Sequence, residues 1–320
     1  MKQKVKPRQI LLSKRANVFY LEHVRIMQKD ERIVYLASDG SEIDRFFNLP
    51  ERNTIFVMLG KGSSITDAAV RRLAESNVLI GFVGNGGSPL FGAVDPVFIV
   101  PQSEYRPTES MQAWARMWFD DAERLKVAKF FFAERLQWAA DSWRNNAELK
   151  QRKVGNLDAV APNYLKRAQA ATTTAELMSV EGAWAKNLYG LLARPFSLVE
   201  FRREEGKQSR LTTEDIANSF IDHGNYIAYG FAAATLNVLG ISFAFPVMHG
   251  KTRRGALVFD VADLYKDALV LPLSFQAAAT GYRDQQFRDE LIETCLAQEV
   301  MDRTVETIAK VVAGKYSNNQ

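Results

Sequence analysis

From residue 111 to residue 153 the chain carries neither proline nor glycine, whereas residues 95–108 hold three prolines, Pro96, Pro101 and Pro107, in polar surroundings. A run of that length with apolar residues at helical spacing predicts long helix, and the proline-bearing stretch before it predicts a linker. The two sides of this boundary differ in kind. Before it, short runs rich in β-branched and aromatic residues recur at 17–21, 32–36, 54–59, 78–83 and 89–94. Turn pairs such as Asp39-Gly40 and Leu49-Pro50 separate them, so the region predicts strands. One helix interrupts the pattern, with Ser63/Ser64 as caps and Ile65, Ala68, Ala69 and Leu73 on one face. After the boundary, helical patterns continue at 175–192, 216–239, 257–271 and 284–312. The expected fold is therefore a two-domain α+β chain: a small β-rich, β-sandwich-like domain over 1–100, a linker over 101–110, and a larger all-α domain over 111–320. No fixed-period repeat and no low-complexity tract is present.

Composition narrows the class further. With 320 residues, 47% of them hydrophobic and 24% charged, the chain can bury a core without covalent staples. The single cysteine, Cys295, excludes a disulfide framework and a thiolate metal cluster and fits a reducing compartment. The basic N-terminus, MKQKVKPRQILLSKR, lacks the apolar stretch of roughly 7–15 residues that a secretory signal needs. Residues 224–248 carry no formal charge, but Asn225, Thr235, Asn237, Ser242 and Pro246 interrupt them, so they read as a buried core helix ending near Gly240 rather than a membrane span. A cytoplasmic protein with no membrane partner is expected. The net charge of +4 is compatible with a polyanionic partner and is not evidence for one.

Two glycine clusters resemble nucleotide loops without matching them. Gly60-Lys61-Gly62-Ser63-Ser64 lacks the spacing of a phosphate loop, and after Gly84 and Gly86 the third glycine of a dinucleotide turn is replaced by Pro89. Both read as ordinary turns. Trp114, Trp118, Trp138 and Trp143 lie on the long helical segment, where inter-helix packing is a better account than base stacking.

Chemistry concentrates around one of the three histidines. His23 lies in a strand pattern without an acidic cluster, and His223 follows Asp222 at the head of the uncharged stretch, where capping is its ordinary role. His249 sits after that helix, in Pro246-Val247-Met248-His249-Gly250, and is followed by Lys251-Thr252-Arg253-Arg254 and then Leu257-Val258-Phe259-Asp260-Val261-Ala262-Asp263-Leu264. Asp260 and Asp263, three apart, share a helix face and repel one another unless a cation or proton intervenes. Imidazole plus carboxylates without cysteine suits a hard or borderline divalent ion, Mg²⁺ or Mn²⁺. Adjacent cations Lys251, Arg253 and Arg254 would bring phosphates to such an ion. Asp260, Asp263 and Lys266 equally describe the wet side of an amphipathic helix, and spacing leaves both readings open. A third carboxylate is available on the 175–192 helix, where composition does not choose between Glu181 and Glu176.

Together these segments resemble the CRISPR adaptation integrase family. Glu181-Gly182-x-x-Ala185-Lys186-x-x-Tyr189 looks like its glutamate helix, and Asp222-His223-Gly224-Asn225-Tyr226-x-x-Tyr229 like its central Asn-Tyr helix. Gly240-Ile241 through His249, then Asp260-x-x-Asp263-Leu264, looks like its histidine loop and aspartate helix. The 101–107 stretch, the long first helical segment and the 249–255 run look most like the type I-F branch. The resemblance implies a catalytic set of Glu181, His249, Asp260 and Asp263. Glu181, His249 and Asp263 would be the ligands of Mg²⁺ or Mn²⁺, and Asp260 an acidic residue supporting them.

It further implies a metal-dependent DNA endonuclease and integrase that joins the 3′-hydroxyl ends of short foreign DNA to the repeat array by transesterification. The implied partners are double-stranded DNA, contacted through Lys251, Arg253 and Arg254, and a second copy docked through the β-rich domain. A second adaptation protein fused to a helicase–nuclease completes the set. The rival reading is a non-catalytic DNA-binding or scaffold subunit, against which the intact Glu181/His249/Asp263 set argues.

Overall fold

The computed structural model describes residues 10–11, 14–37, 46–83, 97–99, 108–205, 210–250 and 255–316. The expected strand at 89–94, the glycine pair Gly84/Gly86, most of the proline-bearing linker and the basic residues Lys251, Arg253 and Arg254 lie outside them. The chain forms two compact units, Met1–Tyr105 and Arg106–Gln320.

The first unit is β-rich. One sheet has the order β1 (Asn17–Leu21), β5 (Thr54–Leu59), β7 (Leu79–Phe82), β8 (Val97–Ile99), with the first three parallel and β8 antiparallel to β7. All six residues of β5 are buried, as a central strand covered on both faces requires. The second sheet has the order β4 (Phe46–Leu49), β3 (Arg32–Ala37), β2 (Val24–Lys29), β6 (Ser64–Ile65). Side chains of both sheets and of helix α1 (Asp67–Glu75) share one core: Leu21, Ile26, Ile33, Val57, Leu73 and Ile80 are among its members. Three details depart from expectation. The cap of α1 is Thr66, whose hydroxyl accepts from Ala69 N; Ile65 belongs to β6; and Ala68 is exposed. Strand β2 is an addition to the expected set. Val24 and Ile26 alternate inward, but its hairpin to β3 turns on Asp30 and Glu31, two non-glycine residues at positive φ, which give no standard turn signal.

The second unit is helical, so the chain is a small β-rich region followed by a larger helical part. The segment expected to be one long helical run is three helices: α2 (Glu109–Trp118), α3 (Asp121–Asn145) and α4 (Ala147–Gln151). Asp120 and Asn146 break it because each side chain accepts from backbone N–H groups of the next helix. Helix α5 (Ala161–Ala170), with Pro162 in its first turn, is a further addition to the expected elements. Helices α6 (Thr174–Ala193) and α7 (Thr213–Val238) match the predicted periodicity. A capping box of Thr212 and Asp215 starts α7, so His223 lies inside a buried helix and caps nothing. Among the described residues no helix is long and apolar enough to cross a membrane.

The expected helix at 257–271 is interrupted in a way that matters for the site. Helix α8 (Ala256–Tyr265) passes into a π-helical turn, Lys266–Val270, and then into α9 (Leu271–Thr280). Pro272 has no N–H to give to the carbonyl four residues back, that of Ala268. That carbonyl accepts instead from Ser142 Oγ of α3 at 3.0 Å, and the Asp267 carbonyl accepts from Trp143 Nε1 at 2.8 Å. The π turn is thus pinned to α3. Helices α10 (Asp284–Ala297) and α11 (Val300–Val312), expected as one run, break at Glu299, which has φ of 48°.

Helix α7 packs against α8, α9, the π turn, α10 and α11. Its close approach to the π turn depends on Gly224. A Cβ there would lie 2.4 Å from Val270 Cγ1 and 3.3 Å from Leu291 Cδ2 and Phe287 Cζ. Gly224→Ala is therefore expected to destabilise the protein. Overpacking of about 1–3 kcal/mol outweighs a helix-propensity gain of at most about 1 kcal/mol. Denaturant unfolding checks this, and an unchanged or raised midpoint would show that the contact has room to give.

Candidate metal centre

The segment that carries His249 joins α7 to α8 and is fastened from two sides. From α2, Trp114 Nε1 donates to Phe245 O (3.0 Å) and Trp118 Nε1 to Pro246 O (2.7 Å). Their spacing of four serves packing and backbone anchoring of this loop. From α8, the carboxylate of Asp260 accepts from three successive backbone N–H groups: Val247 (2.6 Å) and Met248 (3.1 Å) on Oδ2, and His249 (3.0 Å) on Oδ1. The loop so wraps the buried acid as a nest of N–H donors. Oδ1 also lies 2.6 Å from His249 Nδ1. One carboxylate thereby fixes both the loop and the imidazole, and with the proton on Nδ1 the other nitrogen, Nε2, is left to bind.

Three donors converge beyond it. Glu181 comes from α6, Asp263 from α8 one turn after Asp260, and His249 from the loop; one ligand atom from each lies within 4.8 Å of the others. Glu181 Oε2 is 3.8 Å from His249 Nε2, and Asp263 Oδ2 is 3.7 Å from Nδ1. Glu176, the other candidate on α6, accepts from Thr172 N (2.6 Å) and Thr172 Oγ (3.0 Å) and is taken up by the helix start. His223 is buried elsewhere in α7, where burial, aided by Arg210 and Arg288, holds its pKa down to about 4. His23 lies between β1 and β2 at a positive-φ turn.

Two cations face the acids, and one of them has no counterpart among the sequence candidates. Arg135 of α3 is buried, with Nη1 2.7 Å from Glu181 Oε1 and Nε 2.5 Å from Asp267 Oδ2. Lys266 Nζ is 2.5 Å from Asp263 Oδ1. Arg135 is a lone cation among Phe131, Phe132, Leu136 and Trp138, and Asp267 stands four residues after Asp263. Those are the available signals, and neither points at the other without the fold. Arg135, Glu181, His249, Asp263, Lys266 and Asp267 line a cavity of about 260 Å³ that also takes in Tyr189, Asn225, Tyr229 and Phe259.

The donor set fits a divalent cation. Four carboxylates (Glu181, Asp260, Asp263, Asp267) face two permanent cations, so the cluster with a neutral imidazole carries two surplus negative charges. Nitrogen plus carboxylate oxygen is the mixture that Mn²⁺ and related ions accept. Without an ion the surplus falls on the histidine. Burial opposes its charge, but the hydrogen bond that Nδ1 donates to Asp260 and the charges of Asp263, Asp260 and Glu181 outweigh it and raise the His249 pKa to about 9. For Asp263 burial again opposes ionisation, and Lys266, Arg135 and His249 overcome it, holding the acid at about 2. The same partners keep Lys266 charged, its pKa raised despite burial.

Over residues 20–310 the chain matches the family described as "CRISPR associated protein Cas1". It is 42% identical over 312 residues to "CRISPR-associated endonuclease Cas1" of Pectobacterium atrosepticum, covering 95% of this chain and 94% of that protein. It is 40% identical over 311 residues to the protein of the same description from Pseudomonas aeruginosa, covering 94% of each. The solved structure "Casposase bound to integration product" superposes with a TM-score of 0.74 at 14% identity, over 93% of this chain and 91% of that one, a likeness of fold.

The Asp260 arrangement has a measurable consequence in chelator-stripped protein. A raised histidine pKa contributes stability that is complete below the ordinary imidazole value near 6.5 and is lost as pH rises through about 9. In Asp260→Asn one of the three charges that raise it is removed, and the His249 titration, followed by NMR of the ring, is expected to move down from about 9. The stability loss between about pH 6.5 and 9 shrinks with it. A His249 midpoint still near 9 in this variant would contradict the assignment.

Proposed function

The chain belongs to the CRISPR-associated Cas1 family of endonucleases and integrases, and from that premise we propose that it is a divalent-metal-dependent DNA endonuclease and integrase of CRISPR adaptation, of the type I-F branch. The subtype rests on the two relatives with 40% and 42% identity. The observation that carries the chemistry is the convergence of Glu181, His249 and Asp263 donor atoms within 4.8 Å at one cavity wall.

Glu181, His249 and Asp263 would hold Mg²⁺ or Mn²⁺. When bound, such an ion supplies Lewis-acid polarisation of a phosphoryl oxygen and favours the ionised form of an attacking hydroxyl. The protein does the rest by placement. Asp260 keeps a proton on His249 Nδ1, so that Nε2 presents its lone pair. Lys266 stays protonated beside Asp263 and offers a positive charge where a phosphodiester enters. Lys251, Arg253 and Arg254, directly after the histidine in sequence, contact the flanking phosphates. The reaction is a transesterification: the 3′-hydroxyl of the incoming strand gives up its proton to solvent as its oxygen bonds to phosphorus at the repeat border, the repeat keeps its 5′-oxygen on that phosphorus, and the flanking strand's 3′-oxygen leaves with the electron pair and takes up a proton. With water as attacking group the same site cleaves DNA. A second copy docked through the β-rich unit, and a second adaptation protein fused to a helicase–nuclease, complete the assembly on double-stranded DNA.

The test is His249→Ala, assayed for joining of a 3′-hydroxyl duplex into a repeat-bearing target with Mn²⁺. Joining and cleavage are expected to fall by at least about 100-fold while the protein stays folded and still binds duplex. Undiminished joining would overturn the metal-site reading. Duplex binding without joining even in the unsubstituted protein, with Mn²⁺ present, would point to a scaffold subunit instead.

A further inference from the structure

Asp267 and Arg135 are not among the donors that converge on the candidate ion, yet both are held beside it by several hydrogen bonds. Arg135 Nε donates to Asp267 Oδ2 at 2.5 Å and Nη2 to Asp267 Oδ1 at 3.1 Å, so the guanidinium is gripped along one edge. Its remaining nitrogen, Nη1, then falls 2.7 Å from Glu181 Oε1 and 3.9 Å from Asp263 Oδ2. Asp267 is itself fixed: Trp184 Nε1 donates to Oδ2 at 2.8 Å, and Trp143 Nε1 to the backbone carbonyl at 2.8 Å. Trp184 lies three residues after Glu181 on α6, and Trp143 lies on α3 with Arg135. One carboxylate on the π turn therefore ties together the helix that carries Glu181 and the helix that carries Arg135.

Two simpler roles fit this geometry poorly. A buried ion pair is a weak source of stability compared with apolar side chains of the same volume. Charge compensation alone needs only a cation, and a lysine would serve. Here three guanidinium nitrogens are each placed on a carboxylate oxygen, which only a planar fork can do.

We propose that Arg135 and Asp267 are positioning residues for the divalent ion, an assignment that rests on the proposed metal site. Asp267 locks the fork, and the fork holds Oε1 of Glu181, which turns Oε2 toward His249 and Asp263. Glu181 is thereby presented as a ligand in one orientation rather than sampling several.

The charge-preserving variant Arg135→Lys isolates this role, because it keeps the positive charge and loses the fork. Full-length protein is stripped with chelator and titrated with Mn²⁺, free ion being read by its EPR signal, with folding checked by near-UV circular dichroism. The expected result is Mn²⁺ affinity weakened about 10- to 100-fold, the range for losing a partner that orients a metal ligand. Trp184→Phe removes one donor from Asp267 and is expected to weaken Mn²⁺ binding in the same direction by a smaller factor. A folded Arg135→Lys protein with unchanged Mn²⁺ affinity, even at a lowered melting temperature, would overturn the proposal and leave a structural salt bridge. If Arg135→Lys does not fold, Trp184→Phe decides: unchanged affinity overturns the proposal. If the unsubstituted protein takes up no Mn²⁺, or His249→Ala takes it up equally well, the metal-site reading itself falls and this assignment with it.

Discussion

Four carboxylates lie close together in the helical unit, three of them buried and Glu181 half-buried. Carboxylates removed from water and set side by side are unfavourable unless positive charge answers them. Arg135 and Lys266 answer part of that need, and His249, whose pKa Asp260, Asp263 and Glu181 raise against its burial, adds positive charge when protonated. The surrounding architecture holds that crowded set of charges in place.

Holding it requires rigidity from several directions. Asp260 gathers three consecutive N–H groups and the imidazole, so one carboxylate fixes both the loop and the ring. Trp114 and Trp118 clamp the loop's approach through two carbonyls. The π turn, made possible by Pro272, frees the carbonyls of Asp267 and Ala268 for side chains of α3. A π turn in place of α-helical geometry shifts the register of the residues C-terminal to it, and such turns recur at functional sites for that reason. Gly224 lets α7 come close enough to brace it.

Much of this is legible in the sequence, and the remainder is hidden for identifiable causes. The change from strand patterns to helical periodicity marks the two halves, because residue periodicity reports burial directly. The His249 loop and the Asp260-x-x-Asp263 helix stand out because imidazole and paired acids are rare in apolar surroundings, although only the motif chooses Glu181 over Glu176. Arg135 and Asp267 escape because they are 132 positions apart, and a lone arginine in an apolar helix gives no sign of which acid it will meet. The breaks at Asp120, Asn146 and Glu299 escape because periodicity runs through a one- or two-residue interruption unchanged. The His223 capping role fails because α7 begins about ten residues earlier, at the Thr212–Asp215 box.

On the proposed function, Glu181, His249 and Asp263, distant in sequence, hold one divalent ion. Crystals grown metal-free and soaked in Mn²⁺, with data collected near the manganese edge, test it most directly. The expected result is a single anomalous peak bounded by Glu181, His249 Nε2 and Asp263, at distances of about 2.0–2.3 Å. No peak there, or a peak held by other residues while these three keep their apo positions, would contradict the account.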